Sequence, residues 1–215
     1  AQGLRLRLLN EAASAYERFT EVQVDDPDIR LQAGHAQMRL GDIYRLMQQL
    51  DKAVAAFGRA QTIYAGLVDH PFANDDPRLD AALCLRKLGD VRLDQGQYDQ
   101  ARQCLAEAQT HLASAKPSPR SRRQDVDLKM SLGWLERECE NLEQAEHWLR
   151  EAERLAALAA ADAETPLADQ QEGLAQLALA QSTLGDVLSQ SGRHPEAIEC
   201  LRRSLETGEN LVRLA

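Results

Sequence analysis

The sequence predicts an all-α chain, a solenoid of antiparallel helix pairs with about nine helices, and three observations carry that expectation. A Leu-Gly step followed by small and apolar residues returns four times. It reads Leu40-Gly41 with Ala53, Phe57 and Ala60, Leu88-Gly89 with Ala101, Leu105 and Ala108, Leu132-Gly133 with Ala145, Leu149 and Ala152, and Leu184-Gly185 with Ala197, Leu201 and Ser204. The interval from glycine to alanine is 12 in every copy (41 to 53, 89 to 101, 133 to 145, 185 to 197). Aromatic residues make up only 4% of the chain against 44% hydrophobic content, which suits slim, closely packed helices rather than a β-sandwich.

A fixed interval bounded by tiny residues has a geometric reading. Two antiparallel helices joined by a tight turn touch where neither carries a bulky side chain. Glycine inside a helix costs about 1 kcal/mol against alanine, so a fourfold recurrence implies that close helix approach offsets it. A leucine forced in at Gly89 is expected to overpack the pair by about 1 to 3 kcal/mol.

Taken in order, residues 4 to 24 look like the second helix of a repeat whose first helix is absent, because Tyr16 precedes Gly41 by the interval that separates Tyr64 from Gly89. The chain, lacking an initiator Met, therefore reads as an excerpt from a longer protein. Asp26-Pro27, Asp76-Pro77 and Thr165-Pro166 each supply an N-cap followed by proline in the first turn. Ser121-x-x-Gln124 is a candidate capping box for the third unit. First helices are expected near 27 to 48, 77 to 95, 121 to 139 and 165 to 190, and their partners near 51 to 69, 98 to 115, 142 to 162 and 195 to 214. The pairs give repeats at about 27–69, 77–115, 121–162 and 165–214 after a half repeat at 1–24, all in one array over 1–215. Loops are expected at His70 to Asp76, with Pro71 and Asn74, and at Lys116 to Arg120, with Pro117 and Pro119.

The first unit resembles the tetratricopeptide repeat family, whose W-x2-L-G-x2-Y…A-x3-F…P pattern is met by Leu40, Gly41, Tyr44, Ala53 and Phe57. Gln37 stands where the family prefers Trp. The later units keep Leu-Gly and Ala but carry Arg92, Glu136 and Leu188 in place of the tyrosine. Repeat spacings of 48, 44 and 52 residues exceed the family's usual length of about 34. The closing proline is replaced by Ala65, Ala113, Ala157 and Glu209, so the second helices are expected to run on for extra turns. The resemblance implies a right-handed superhelix with the first helices lining a concave face. It also implies a non-catalytic scaffold that binds a protein or peptide in that groove.

On that implication, side chains one turn either side of the Leu-Gly read the groove. They include Met38, Asp42 and Arg45, Arg86 and Asp90, Met130, Trp134 and Arg137, and Asp186. Asp42, Asp90 and Asp186 form an acidic column, either a ladder for basic groups of a partner or carboxylates paired locally with Arg39, Arg45 and Arg86. Trp134 is either a binding anchor or a packing residue. The Lys and Asn clamp with which some family members hold chaperone tails is absent, since the corresponding places read Met38, Asp42, Lys87, Asp127 and Ser131.

Net charge of -9 and a pI near 5.1 argue against general nucleic-acid affinity. No apolar run approaches the roughly 18 residues of a membrane span. Cys84, Cys104, Cys139 and Cys200 are dispersed without a Cys-x-x-Cys pair, as reduced packing cysteines of a cytoplasmic protein would be. No phosphate-binding loop, catalytic constellation or metal set is visible, and no cofactor is implied. Glu143 and His147, at i and i+4, read as a surface contact rather than as ligands. His35 is either a titrating group in the groove or an ordinary surface histidine. Three functions stay open: a peptide-binding scaffold, a regulatory segment of a larger signalling chain resembling repeats attached to some bacterial serine/threonine kinases, and a homo-oligomer joined through array ends where Leu211, Val212 and Leu214 expose apolar surface.

Overall fold

The computed structural model describes residues 2–20, 26–70, 72, 76–161 and 166–214, the side chains of 2–7 and 18–20 excepted. Among the described residues there are nine α-helices and no strand. They are α1 (Gln2–Thr20), α2 (Pro27–Leu46), α3 (Leu50–Ala65), α4 (Pro77–Asp94), α5 (Tyr98–Ser114), α6 (Pro119–Glu138), α7 (Leu142–Ala161), α8 (Leu167–Gln190) and α9 (His194–Leu214). The chain divides into two compact units, Ala1–Ala115 and Lys116–Ala215. In the first, α2 pairs with α3 and α4 with α5, while α1 packs on α2 and α3 on α4. In the second, α6 pairs with α7 and α8 with α9, while α7 packs on α8.

The helix starts follow from the caps. Asp26 Oδ1 accepts from the N–H groups of Asp28 (2.9 Å) and Ile29 (3.4 Å), and Asp76 Oδ1 from that of Arg78 (3.0 Å). Proline stands at the next position in both, where a missing N–H costs nothing. The third cap corrects the expectation. Ser118 and Ser121 form the reciprocal box, each side chain accepting from the other's backbone N–H. The helix therefore begins at Pro119, and Pro119 and Arg120 belong to its first turn rather than to a loop. At α8, Pro166 occupies the cap position without a side-chain bond. Thr165, the loop positions Pro71 and Asn74, and the expected helical stretch at 21–24 lie outside the described residues.

The expected glycine contact is real but differs in kind. A Cβ placed on Gly41 would lie 2.5 Å from the Phe57 ring, on Gly89 3.0 Å from Leu105, on Gly133 2.7 Å from Leu149 and on Gly185 2.9 Å from Leu201. Each glycine thus makes room for the large side chain four residues beyond the alanine. In the last three pairs the alanine presents its carbonyl oxygen, 3.3–3.5 Å from the same point. Ala53, Ala101 and Ala145 are fully buried, as are Phe57 and Leu149. Burying such a phenylalanine or leucine contributes about 1.5–3 kcal/mol, enough to offset a helical glycine.

The turns between paired helices share one device. Seven residues after each repeat glycine the backbone turns left-handed, at Gln48 (φ 59°), Gly96 (φ 72°), Glu140 (φ 63°) and Gly192 (φ 76°). The next N–H reaches back five residues, as from Gln49 to the Tyr44 carbonyl and from Asn141 to that of Glu136 (2.9 and 2.8 Å). This closes the helix with a Schellman-type cap. Second helices lengthen along the chain, with 16 residues in α3 and 17 in α5 against 20 in α7 and 21 in α9. The extra turns fall in the second unit. α3 stops short of the expected residue 69 because Gly66, a poor helix former, follows Ala65.

The first unit's core joins Leu31, Leu40, Tyr44, Phe57, Tyr64 and Cys84 with Ala13 of α1. The Cys84 thiol donates to the Phe57 carbonyl at 3.1 Å, tying α4 to α3. In the second unit one cluster gathers around Leu149, Leu184 and Leu188 and another around Val126, Met130, Ala152 and Ala180. All four cysteines are free.

Candidate functional site

In each unit neighbouring first helices meet through polar side chains. In the first unit, Lys87 Nζ of α4 lies 2.5 Å from Asp42 Oδ1 of α2. Arg45 of α2 reaches α4 twice, with Nε 2.8 Å from Asp94 and Nη1 3.8 Å from Asp90. Arg86 Nη1 donates to Asp90 at 3.0 Å along α4 itself. At the other end of the same two helices, His35 Nε2 lies 3.4 Å from Asp80, a buried carboxylate. The alternation places positive on negative across the seam. Half-buried pairs of this kind are worth up to about 1 kcal/mol each, so they fix registry more than they add stability.

Beside these pairs opens a recess of about 880 Å³, lined by Asp42, Arg45, Leu46, Gln48, Leu50 and Asp94. Leu46 projects into it at 57% exposure, an apolar side chain ringed by charge. In the second unit the seam between α6 and α8 is held by Arg123 with Asp169 (2.5 Å) and by Gln176. The Gln176 amide donates to Asp127 (2.8 Å) and to the Arg123 carbonyl (3.2 Å).

The residues expected to read a groove separate into three groups. Met38 and Met130 are core, 6% and 2% exposed, Met38 in the cluster of Phe57 and Tyr64 and Met130 in that of Val126 and Ala152. Asp42, Arg45, Arg86 and Asp90 come together in the charged seam, with Asp90 only 5% exposed. Their carboxylates are met by cations of the chain itself, two of them supplied by the neighbouring helix. Trp134 is half-buried and packs against the cluster of Val126, Met130, Ala152, Ala156 and Ala180, beside Leu155 and Leu177. Arg137 is held by Glu138 at 2.8 Å, and Asp186 is exposed.

Asp94 and Leu46 escaped the sequence reading, and Lys87, noted there only at a clamp position, was not recognised as the partner of Asp42. Lys87 stands two residues before its glycine and Asp94 five after, outside the column counted from a single helix. Comparing each position with the next repeat's neighbouring column would have found the two charged residues. Burial shifts two groups near the seam. Tyr44, whose hydroxyl donates to Glu17, has its phenol pushed up to about 12 by burial and by that carboxylate. Burial also pushes the Cys84 thiol well above its usual range. Among the described residues no helix is long and apolar enough to cross a membrane.

A search against curated proteins finds no match. Among solved structures, BtubC (BKLC) from P. vanneervenii superposes with a TM-score of 0.66 at 17% identity, covering 96% of this chain and 74% of that one. The Rap conjugation gene regulator of the plasmid pLS20, solved in complex with the Phr* peptide, gives 0.65 at 19% identity over 97% of this chain, which spans half (50%) of the regulator. MamA from Desulfovibrio magneticus RS-1 gives 0.54 at 15% identity over 93% and 96% of the two chains. At these identities the likeness is one of fold. The tetratricopeptide repeat profile matches residues 4–67 and 86–160, and a second profile of the same repeat matches 177–212. With most of its length so matched, the chain belongs to the tetratricopeptide repeat family, whose fold is in general a protein-interaction scaffold.

Proposed function

We propose that the chain is a non-catalytic scaffold whose first-helix side receives an extended peptide or a segment of a partner protein. The observation that carries the reading is the recess beside α2 and α4, where Leu46 stands exposed among Arg45, Asp42 and Asp94. These charged groups are already held by partners across the seam, so a ligand that adopts them loses little entropy in ordering them. An apolar side chain laid on Leu46 with a polar or basic group beside Asp94 satisfies both parts of the surface. The internal cations on Asp42 and Asp90 make a purely basic partner a poorer fit than one of mixed character.

The likeness to a regulator solved with a bound peptide supports the class of ligand. The test is a displayed peptide library selected on the intact chain, with affinities of the selected peptides measured by calorimetry. Leu46→Asp is expected to weaken them by about tenfold or more, a loss of roughly 1.4 kcal/mol, while Arg102→Glu on a second helix leaves them unchanged. Equal affinity for wild type and Leu46→Asp would reject the site.

A further inference from the structure

The recess beside α2 and α4 carries its own charge balance, which can be followed pair by pair. Three carboxylates stand at it or behind it, and three cations of the chain answer them. Asp42 Oδ1 is met by Lys87 at 2.5 Å, and the buried Asp90 by Arg86 at 3.0 Å. Asp94 is met by Arg45, whose Nε lies 2.8 Å from Oδ2. Among the described residues no other cation comes within ion-pair distance of Asp94.

The three pairs are not equivalent. The Asp90 side chain is only 6% exposed and keeps Arg86 even without Arg45. Those of Asp94 and Arg45 are 39% and 38% exposed, and both line the recess beside Leu46. Burial works against the Arg45 charge, but the hydrogen bond to Asp94 and the fields of Asp90, Asp94 and Asp42 outweigh it and hold the guanidinium more firmly protonated than usual. One side chain thus feels all three carboxylates. A cation brought in by a ligand meets Asp94 already taken and stands against Arg45, whereas an amide or hydroxyl can donate to Asp94 Oδ1 without displacing anything.

We infer that Arg45 is the specificity residue of the recess, which takes an apolar side chain next to an uncharged hydrogen-bond donor and excludes lysine or arginine from the place beside Asp94. Arg45 acts so only if the recess is the peptide site proposed above, and it narrows the group beside Asp94 from polar or basic to neutral. Discrimination of this kind comes from a repulsive charge held in place before the ligand arrives. The three pairs leave the recess neutral as a whole, so affinity for a neutral segment changes little with salt. Loss of Arg45 leaves Asp94 an unanswered carboxylate next to Leu46. The preference then reverses, because a lysine of the ligand supplies the missing charge.

A displayed peptide library selected in parallel on wild type and Arg45→Gln tests it, the best wild-type peptide being resynthesised with lysine in place of each uncharged polar residue in turn. On wild type, lysine at one of these positions is expected to lower affinity by about tenfold. On Arg45→Gln the same lysine peptide binds about tenfold better than its parent, and less so as salt rises. Arg45→Lys keeps the direction of the wild-type preference, and Arg45→Gln combined with Asp94→Asn abolishes the reversal. Should circular dichroism show Arg45→Gln poorly folded, Asp94→Asn alone reads the same balance in the opposite sense, with glutamate at that position favoured about tenfold. Lysine or arginine selected beside the apolar residue on wild type, or the same neutral peptides selected on every variant, overturns the inference and leaves the site standing so long as Leu46→Asp weakens binding. Selected peptides indifferent to Leu46→Asp, or a library that yields no binder, reject the site and the role of Arg45 with it.

Discussion

Gly41→Ala is the sharpest probe of how these helix pairs hold together. By helix propensity alone the change stabilises α2 by about 1 kcal/mol. The new Cβ, however, would stand 2.5 to 2.7 Å from three atoms of the Phe57 ring, about 1 Å closer than ordinary contact, and Phe57 is fully buried in a packed core. Overpacking of that order costs about 1–3 kcal/mol, so a net loss near 1 kcal/mol is expected, or about 2–4 °C in Tm for a chain of this size. Gly58→Ala in α3 is the control, because nothing lies within 4 Å of its Cβ position. It is expected to gain about 1 kcal/mol. Thermal and urea unfolding followed by circular dichroism reads both. Phe57→Leu should reduce the penalty in the double variant, since the other pairs carry leucine at that position. Opposite signs for the two alanines support the clasp, and stabilisation by both would refute it.

The remaining expectations address the turns, the buried phenol and the buried thiol. Gln48→Gly and Glu140→Gly relieve left-handed backbone at non-glycine residues and should each stabilise by about 0.5–1 kcal/mol in urea unfolding, whereas Gly96→Ala and Gly192→Ala should cost about 1 kcal/mol. The Tyr44 phenol is raised from 10.0 to about 12, so it favours the folded state while protonated. That contribution is full below pH 10 and is lost as pH rises through 12, and Tyr44→Phe should flatten this part of the stability profile. Cys84 is buried and its thiol pushed up, so maleimide at neutral pH should leave it unlabelled in the folded chain and modify it on unfolding, while the half-buried Cys104 and Cys139 react first.

Much of the helical frame was legible because its punctuation is local. Asp26-Pro27 and Asp76-Pro77 mark helix starts within a single turn, and α2 and α4 begin where those pairs predict. The start of α6 was misplaced for a related reason: Ser118-Pro119 is a cap hidden in a run whose prolines read as loop. The clasp was half legible. A constant interval locates glycine opposite alanine, but which side chain fills the notch depends on the rotation of the second helix, and that rotation sets Phe57, Leu105, Leu149 and Leu201 against the glycines. The charged seam was least legible, because Lys87 and Asp94 answer Asp42 and Arg45 from a different helix some 45 to 49 residues away. Counting i and i+4 partners on one helix cannot reach them. Of the apolar residues expected to be exposed near the end of α9, Val212 and Leu214 are exposed and Leu211 is half-buried.

The central functional claim is that partners are received on the first-helix side. A photoreactive amino acid placed at Leu46 or Asp186, both exposed on first helices, and at Arg102 or Gln144, both exposed on second helices, tests it in the native cell. Crosslinks to a partner protein from Leu46 or Asp186 and none from Arg102 or Gln144 are predicted. Crosslinks confined to the second helices would contradict the account.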